Sequence, residues 1–295
     1  MEIIFLGTGG GRVNLIRQVR KTGGFRINSK SAEIHVDPGP GALINSCQYR
    51  IDPLKLDAII VTHAHIDHCN DANLMIEGMS KFALEKKGIL IASANALGAS
   101  GDTPITKYHQ KHCNEVYSAR FGERKKFRTW KGEFDIEIIK VDHDETSAFG
   151  FKLYMDGKII GYTSDTNWFE ALGERFAGCD VLVVNCLKPF ADGIPDHLET
   201  RDVIKLLKIA KPRLTVLSHF GMKMLRSDPD LEAKKIEHDT EVETLAGEDG
   251  MKIVLGKDPE EIEISQMKPY AATSESVFLS DEKLTDETIA GGKTE

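Results

Sequence analysis

The stretch that most constrains this chain is Ala58-Ile59-Ile60-Val61-Thr62-His63-Ala64-His65-Ile66-Asp67-His68. Its first four residues are apolar and mostly β-branched, which reads as a buried strand. The run then breaks into three histidines and an aspartate within six residues. A burst of polar side chains at the end of a buried strand is poor packing material and good coordination chemistry. Imidazole and carboxylate are the usual ligands of zinc and related cations. The spacing lets His63 and His65 face one cation position, and Asp67 and His68 a neighbouring one. The bland alternative is a polar loop whose histidines happen to lie close together.

Other strand-like runs also end in polar candidates. Ser31 to Asp37 ends at Asp37, before the turn Pro38-Gly39-Pro40-Gly41 and a short helix near Ala42 to Cys47. Ile136 to Val141 leads to His143. Ala148 to Met155 and Lys158 to Tyr162 read as a hairpin around Asp156-Gly157, a strong turn signal, and the second strand delivers Asp165. Val181 to Val184 reads as a fully buried strand, and Leu214 to Leu217 as a strand ending before His219. Helical spacing is expected over Asn70 to Leu84, Thr200 to Ala210 and the charged stretch 228–247. His197 stands just before the second of these.

These residues carry a resemblance. His63-x-His65-x-Asp67-His68 after a hydrophobic strand resembles the metallo-β-lactamase-fold hydrolases, and Asp37, His143, Asp165 and His219 match that superfamily's other motifs in chain order. The resemblance runs from residue 1 to about residue 256. It implies an α/β fold, a four-layer αββα sandwich, spanning residues 1–260, with 261–295 as a polar C-terminal extension or tail. It further implies two divalent metal ions, with Zn²⁺ expected first and Mn²⁺ or Fe²⁺ as alternatives. His63, His65 and His143 would hold one; Asp67, His68 and His219 would hold the other; Asp165 would bridge them. Asp37 would sit beneath the metals and orient an imidazole.

Two metals roughly 3.5–4 Å apart can share a hydroxide nucleophile and clamp both oxygens of an in-line displacement. Asp67 is the expected partner of that water, and His197 the expected proton donor to a leaving alkoxide. Its competing reading is a helix-cap histidine in a surface loop. Many β-lactam-hydrolysing members carry cysteine at the Asp165 position, so the aspartate points to phosphodiesters or thioesters. The motifs look closest to the tRNA 3′-processing endonucleases and the related cyclic-phosphate phosphodiesterases. No glycine- and proline-rich arm insert is visible, so a small-molecule or nucleotide phosphodiester is expected ahead of RNA. The alternatives are a thioester or lactone hydrolase, a di-iron redox protein, and a non-catalytic metal-binding module. A homodimer is common for this fold.

Composition sets the remaining bounds. Of 295 residues, 41% are hydrophobic and 28% charged, which suits a soluble globular chain with a sizeable core. The net charge of −8 makes the whole surface a poor nucleic-acid footprint. Five scattered cysteines without a CxxC argue for a reducing, cytoplasmic setting. No apolar stretch is long enough to span a membrane, and the N-terminus reads as a first strand. Gly7-Thr8-Gly9-Gly10-Gly11-Arg12 invites a dinucleotide reading, but Arg12 takes the third glycine's place, so a tight loop beside a site is preferred. Residues 13–30 read as a basic, solvated loop, with anion binding as the sharper alternative. The densest basic segment is 120–131, a solvated face or a phosphate grip. His109, His112 and Cys113 lack a fourth partner for a second metal site.

Overall fold

The computed structural model describes residues 1–190, 196–258 and 261–270. Six strands come first: β1 (Glu2–Phe5), β2 (Phe25–Asn28), β3 (Glu33–Val36), β4 (Ala58–Val61), β5 (Ile89–Ala92) and β6 (Glu115–Ser118). Then come β7 (Arg124–Arg128), β8 (Glu133–Lys140), β9 (Phe149–Met155), β10 (Lys158–Tyr162), β11 (Val181–Lys188), β12 (Leu198–Glu199), β13 (Leu214–Ser218) and β14 (Glu243–Ala246). The last two, β15 (Met251–Leu255) and β16 (Ile262–Gln266), return to the first group. One sheet runs β16-β15-β1-β2-β3-β4-β5-β6, the other β14-β13-β11-β10-β9-β8-β7 with β12 beside β11. The helices are α1 (Gly11–Arg17), α2 (Ala42–Gln48), α3 (Ile66–Cys69), α4 (Ala72–Met79), α5 (Lys107–Lys111), α6 (Leu172–Arg175), α7 (Thr200–Ala210), α8 (Met222–Arg226) and α9 (Pro229–Thr240).

Period-two alternation explains the layering. Ile34, Val36 and Ile60 of the first sheet meet Ile136, Phe149, Phe151 and Val183 of the second in a shared core. The opposite faces pack outward. Ile59, Val61 and Leu90 lie against Met75, Ile76 and Met79 of α4. Leu182, Val184 and Leu217 lie against Val203, Leu206 and Leu207 of α7 and Ile236 of α9. The expected αββα sandwich follows, and β4 is buried at every position because both its faces are covered. β3 to β6 run parallel, as do β10, β11, β13 and β14, so their carboxyl ends gather at one edge of each sheet.

Several expectations need correction. The stretch 228–247 is not one helix: α9 stops at Glu241, whose φ is 58°, and β14 pairs in parallel with β13. The helix expected to Leu84 ends at Met79, because Lys81, Phe82 and Ala83 all take positive φ. Residues 13–30 are not a loop but contain most of α1 and all of β2. The sheet also runs beyond residue 260, since β16 pairs with β15 from Ile262 to Gln266. The tail from 271 onward lies outside the described residues. In the 120–131 segment most of the cations are matched: Arg124 with Asp135, Lys125 with Glu115, Lys126 and Arg128 with Glu133, and Lys131 with Glu33 and Asp57. All five cysteines are free, and no helix among the described residues is long and apolar enough to cross a membrane.

Arg26 is the largest departure from the solvated reading. It is fully buried, 2.6 Å from Glu33, and donates to the Asp52 carbonyl. Removing one partner of a buried pair strands the other charge, which costs about 3–5 kcal/mol. Glu33→Ala should therefore lose about that much stability in urea unfolding, and more than Arg26→Met, which removes the buried charge itself. The reverse order would show that packing, not charge, dominates here.

Candidate metal centre

Each candidate side chain leaves the end of a strand. β4 delivers Thr62 and His63; His65 then starts α3, whose single turn carries Asp67 and His68. His143 follows β8, Asp165 follows β10, and His219 follows β13. Ser164 and His219 both take positive φ, which turns the chain sharply at these strand ends.

The side chains converge in two groups. His63, His65 and His143 form one, and His65 Nδ1 lies 3.2 Å from His143 Nε2. Asp67, His68 and His219 form the other: His68 Nε2 is 3.1 Å from His219 Nε2, which is 3.3 Å from Asp67 Oδ2. Asp165 Oδ2 stands between them, 3.8 Å from His63 Nε2 and 3.3 Å from both His68 Nε2 and His219 Nε2. His197 joins the same cluster, its Nδ1 3.5 Å from Asp165 Oδ2.

The hydrogen bonds around these rings show what they can hold. His68 Nδ1 lies 2.9 Å from Asp37 Oδ2, and His143 Nδ1 lies 3.2 Å from the Asp196 carbonyl. Both acceptors place the ring proton on Nδ1 and leave a lone pair on Nε2. His63 Nδ1 faces Thr62 Oγ1, and its buried Nε2 has no hydrogen-bond partner. Lone pairs and a carboxylate oxygen therefore point at one another in a buried space. That arrangement is repulsive unless positive charge sits among them. Zinc–nitrogen bonds of about 2.0–2.1 Å in a tetrahedron put neighbouring ligand atoms roughly 3.3 Å apart, close to the spacings found here. The donor set fits divalent cations.

The acid–base shifts carry the same message. Burial holds His63 well below the ordinary imidazole range, with His68 adding to the effect. Burial also disfavours charge on His68, but Asp165, Asp67 and Asp37 together push it well above. Against its burial, Asp165 is held well below the carboxylate range by His219, His68 and His197. Without a cation, a proton on His68 supplies the missing positive charge.

Further residues brace the cluster that sequence reasoning did not single out. Asn185 donates to Asp165 Oδ1 at 2.7 Å and to the Tyr162 hydroxyl, which donates to Asp37. Its signal was present, because a polar residue ends the apolar run of β11. Glu145 accepts from Ala64 N–H, Ser93, Asn95 and Ser147, tying the loop after β4 to the loop after β8. Gly10 packs so closely that an added Cβ would lie 2.2 Å from the His219 ring, and Gly11 N–H donates to Asp67 Oδ2. The glycine-rich stretch is thus a loop against the site. His109 bonds Thr106 and Glu77, and among the described residues it joins no metal-binding group.

A two-sheet sandwich with paired imidazole–carboxylate groups at one edge defines a metal-dependent hydrolase of the metallo-β-lactamase fold. The chain belongs to the beta-lactamase superfamily: that domain's family model matches residues 32–220. It is 33% identical over 259 residues to the uncharacterized protein MJ1374 of Methanocaldococcus jannaschii, covering 86% of this chain and 95% of the relative. It is 32% identical over 276 residues to ribonuclease Z of Sulfolobus acidocaldarius, covering 80% of this chain and 93% of that one. The crystal structure of YhfI from Bacillus subtilis superposes with a TM-score of 0.70 at 17% identity, covering 85% and 98% of the two chains.

Replacing Asp37 by Asn exchanges one acceptor oxygen for a donor amide, which weakens the hold on the His68 ring and on Thr62 and Tyr162 beside it. Asp37→Asn should weaken metal affinity by about 10–100-fold, measured by competition with a chromophoric zinc chelator. Unchanged affinity would remove Asp37 from the site.

Proposed function

We propose that this protein is a metal-dependent phosphodiesterase. The observation that carries the reading is the position of Asp165 Oδ2 between the two imidazole groups. A hard carboxylate oxygen there suits a pair of divalent cations. His63, His65 and His143 would hold one, and Asp67, His68 and His219 the other, with Asp165 shared. Such a pair, when bound, supplies Lewis acidity for a phosphoryl oxygen and makes water nucleophilic near neutral pH. The similarity to a ribonuclease Z supports a phosphodiester ahead of a thioester or lactone.

The chain's own groups supply the rest. Asp67 is fixed by Gly11 N–H, which aims its carboxylate into the cluster, where it can orient a water. Asn185 keeps Asp165 Oδ1 occupied, so only Oδ2 faces inward. His197 is lowered to about 4, chiefly by burial, and is a neutral imidazole at pH 7. A phosphoryl anion beside it raises that value and lets it carry a proton to a leaving alkoxide.

Chelator-stripped protein should hydrolyse an aryl phosphodiester only after Zn²⁺, Mn²⁺ or Fe²⁺ is returned, and Asp165→Ala should lose the metals and nearly all turnover. Two bound metals without phosphodiester turnover would move the reading to thioesters or lactones. His197→Ala should lower kcat by about 10²–10⁴-fold with metal content intact. Loss of metal in that variant would sink its proton-carrying role.

A further inference from the structure

A cleft of about 210 Å³ opens beside the Asp67–His219 end of the cluster. It is lined by Gly10 and the first turn of α1 through Asn14, by Leu187 and Lys188 at the end of β11, and by Gly221 with the start of α8. The cleft adjoins the site through its glycines, since Gly10 lies against the His219 ring and Gly11 N–H donates to Asp67. Glycines keep it open. Gly11 has φ +72°, and a Cβ there would press within 3.0 Å of Leu187; a Cβ on Gly221 would come within 2.8 Å of the Leu187 carbonyl.

The lining has a definite chemistry. Val13, Leu187 and Met222 present apolar surface, Val13 being 57% exposed, and Lys188 and Lys223 also line the cleft. Arg12 stands at the rim, exposed, with no hydrogen bond or ion pair among the described residues. A thioether is polarizable and contacts aromatic rings well. A guanidinium pairs with phosphate and stacks on flat rings. The volume is below the roughly 300–1,000 Å³ that takes a whole drug-sized ligand, so the cleft fits one part of a substrate.

We propose that this cleft is a nucleoside subsite: it seats the base and sugar of a nucleotide whose phosphate lies at the Asp67–His219 side, with Arg12 against the anionic part. The inference rests on the phosphodiesterase reading and narrows it to nucleotide esters. It is tested on the metal-loaded full chain by calorimetric titration with thymidine 5′-monophosphate and with methyl phosphate. The nucleotide should bind at least about tenfold tighter than methyl phosphate. Met222→Trp, which fills the cleft, and Arg12→Ala, an exposed change that leaves the fold alone, should each cut that advantage about tenfold. Equal binding of the two ligands, or an advantage that survives both variants, overturns the subsite. Hydrolysis of thymidine 5′-(p-nitrophenyl phosphate) and methyl p-nitrophenyl phosphate separates the two ideas. Turnover of both at equal kcat/KM without a binding advantage removes the subsite and keeps the phosphodiesterase. A binding advantage without turnover of either removes the phosphodiesterase and keeps the subsite.

Discussion

One carboxylate, that of Asp37, joins the two sheets at the edge where the candidate site lies. It is 2% exposed and accepts from Thr62 N–H and Thr62 Oγ1, both at 2.7 Å, and from the Tyr162 hydroxyl at 3.0 Å, with His68 Nδ1 at 2.9 Å. Thr62 belongs to the first sheet's strand end and Tyr162 to the second's. A buried carboxylate without donors would cost several kcal/mol, so these partners must all be in place when the sheets dock. The same bonds that satisfy Asp37 also set the register of the strand ends. They leave His68 with its free nitrogen facing inward. From Tyr162 the network continues through Asn185 to Asp165, so the outer support of one ligand group is wired to the carboxylate shared by both.

That wiring concentrates charge where the protein cannot solvate it. Asp67 and Asp165 are buried or nearly so, and the rings between them offer lone pairs more than protons. Folding such a cluster is tolerable only if positive charge arrives with it, as protons or as cations. The bracing by Glu145, Gly11 and Asn185 holds the donors at ligand spacing instead of letting them swing apart to find water. The site therefore stores an attraction for cations that the rest of the fold maintains.

Much of this was legible in the sequence because it follows local rules. A β-branched run ending in His-x-His-x-Asp-His announces a buried strand and its polar end, and β4 with α3 bear that out. Helix α7 runs from Thr200 to Ala210 as its apolar spacing indicates. What escaped depends on which side chains the fold brings together. Arg26 looks like a solvated cation until Glu33, Asn28 and the Asp52 carbonyl surround it. Glu243 to Ala246 reads as a continued helix, and only the open edge of β13 makes it a strand. Asn185 carries a polar signal where the apolar run of β11 breaks, but its meaning comes from Asp165, twenty residues away in sequence and 2.7 Å away in space.

Charge shows how local recognition has to be. With a net charge of −8, long-range attraction does not draw an anionic phosphodiester to this chain. Nor does the most basic stretch of the sequence, because Arg124, Lys125, Lys126 and Lys131 already face Asp135, Glu115, Glu133, Glu33 and Asp57. Screening at physiological ionic strength limits any field to about 8 Å. On the proposed reading an anionic ester is held by what lies within that radius: the cations the imidazole groups can bind and the Arg12 side of the adjoining cleft. On this view Gly10 and Gly11 serve both ends of the problem. Their lack of side chains lets the loop press against His219 and Asp67 on one face, and leaves room for a ligand against Leu187 on the other.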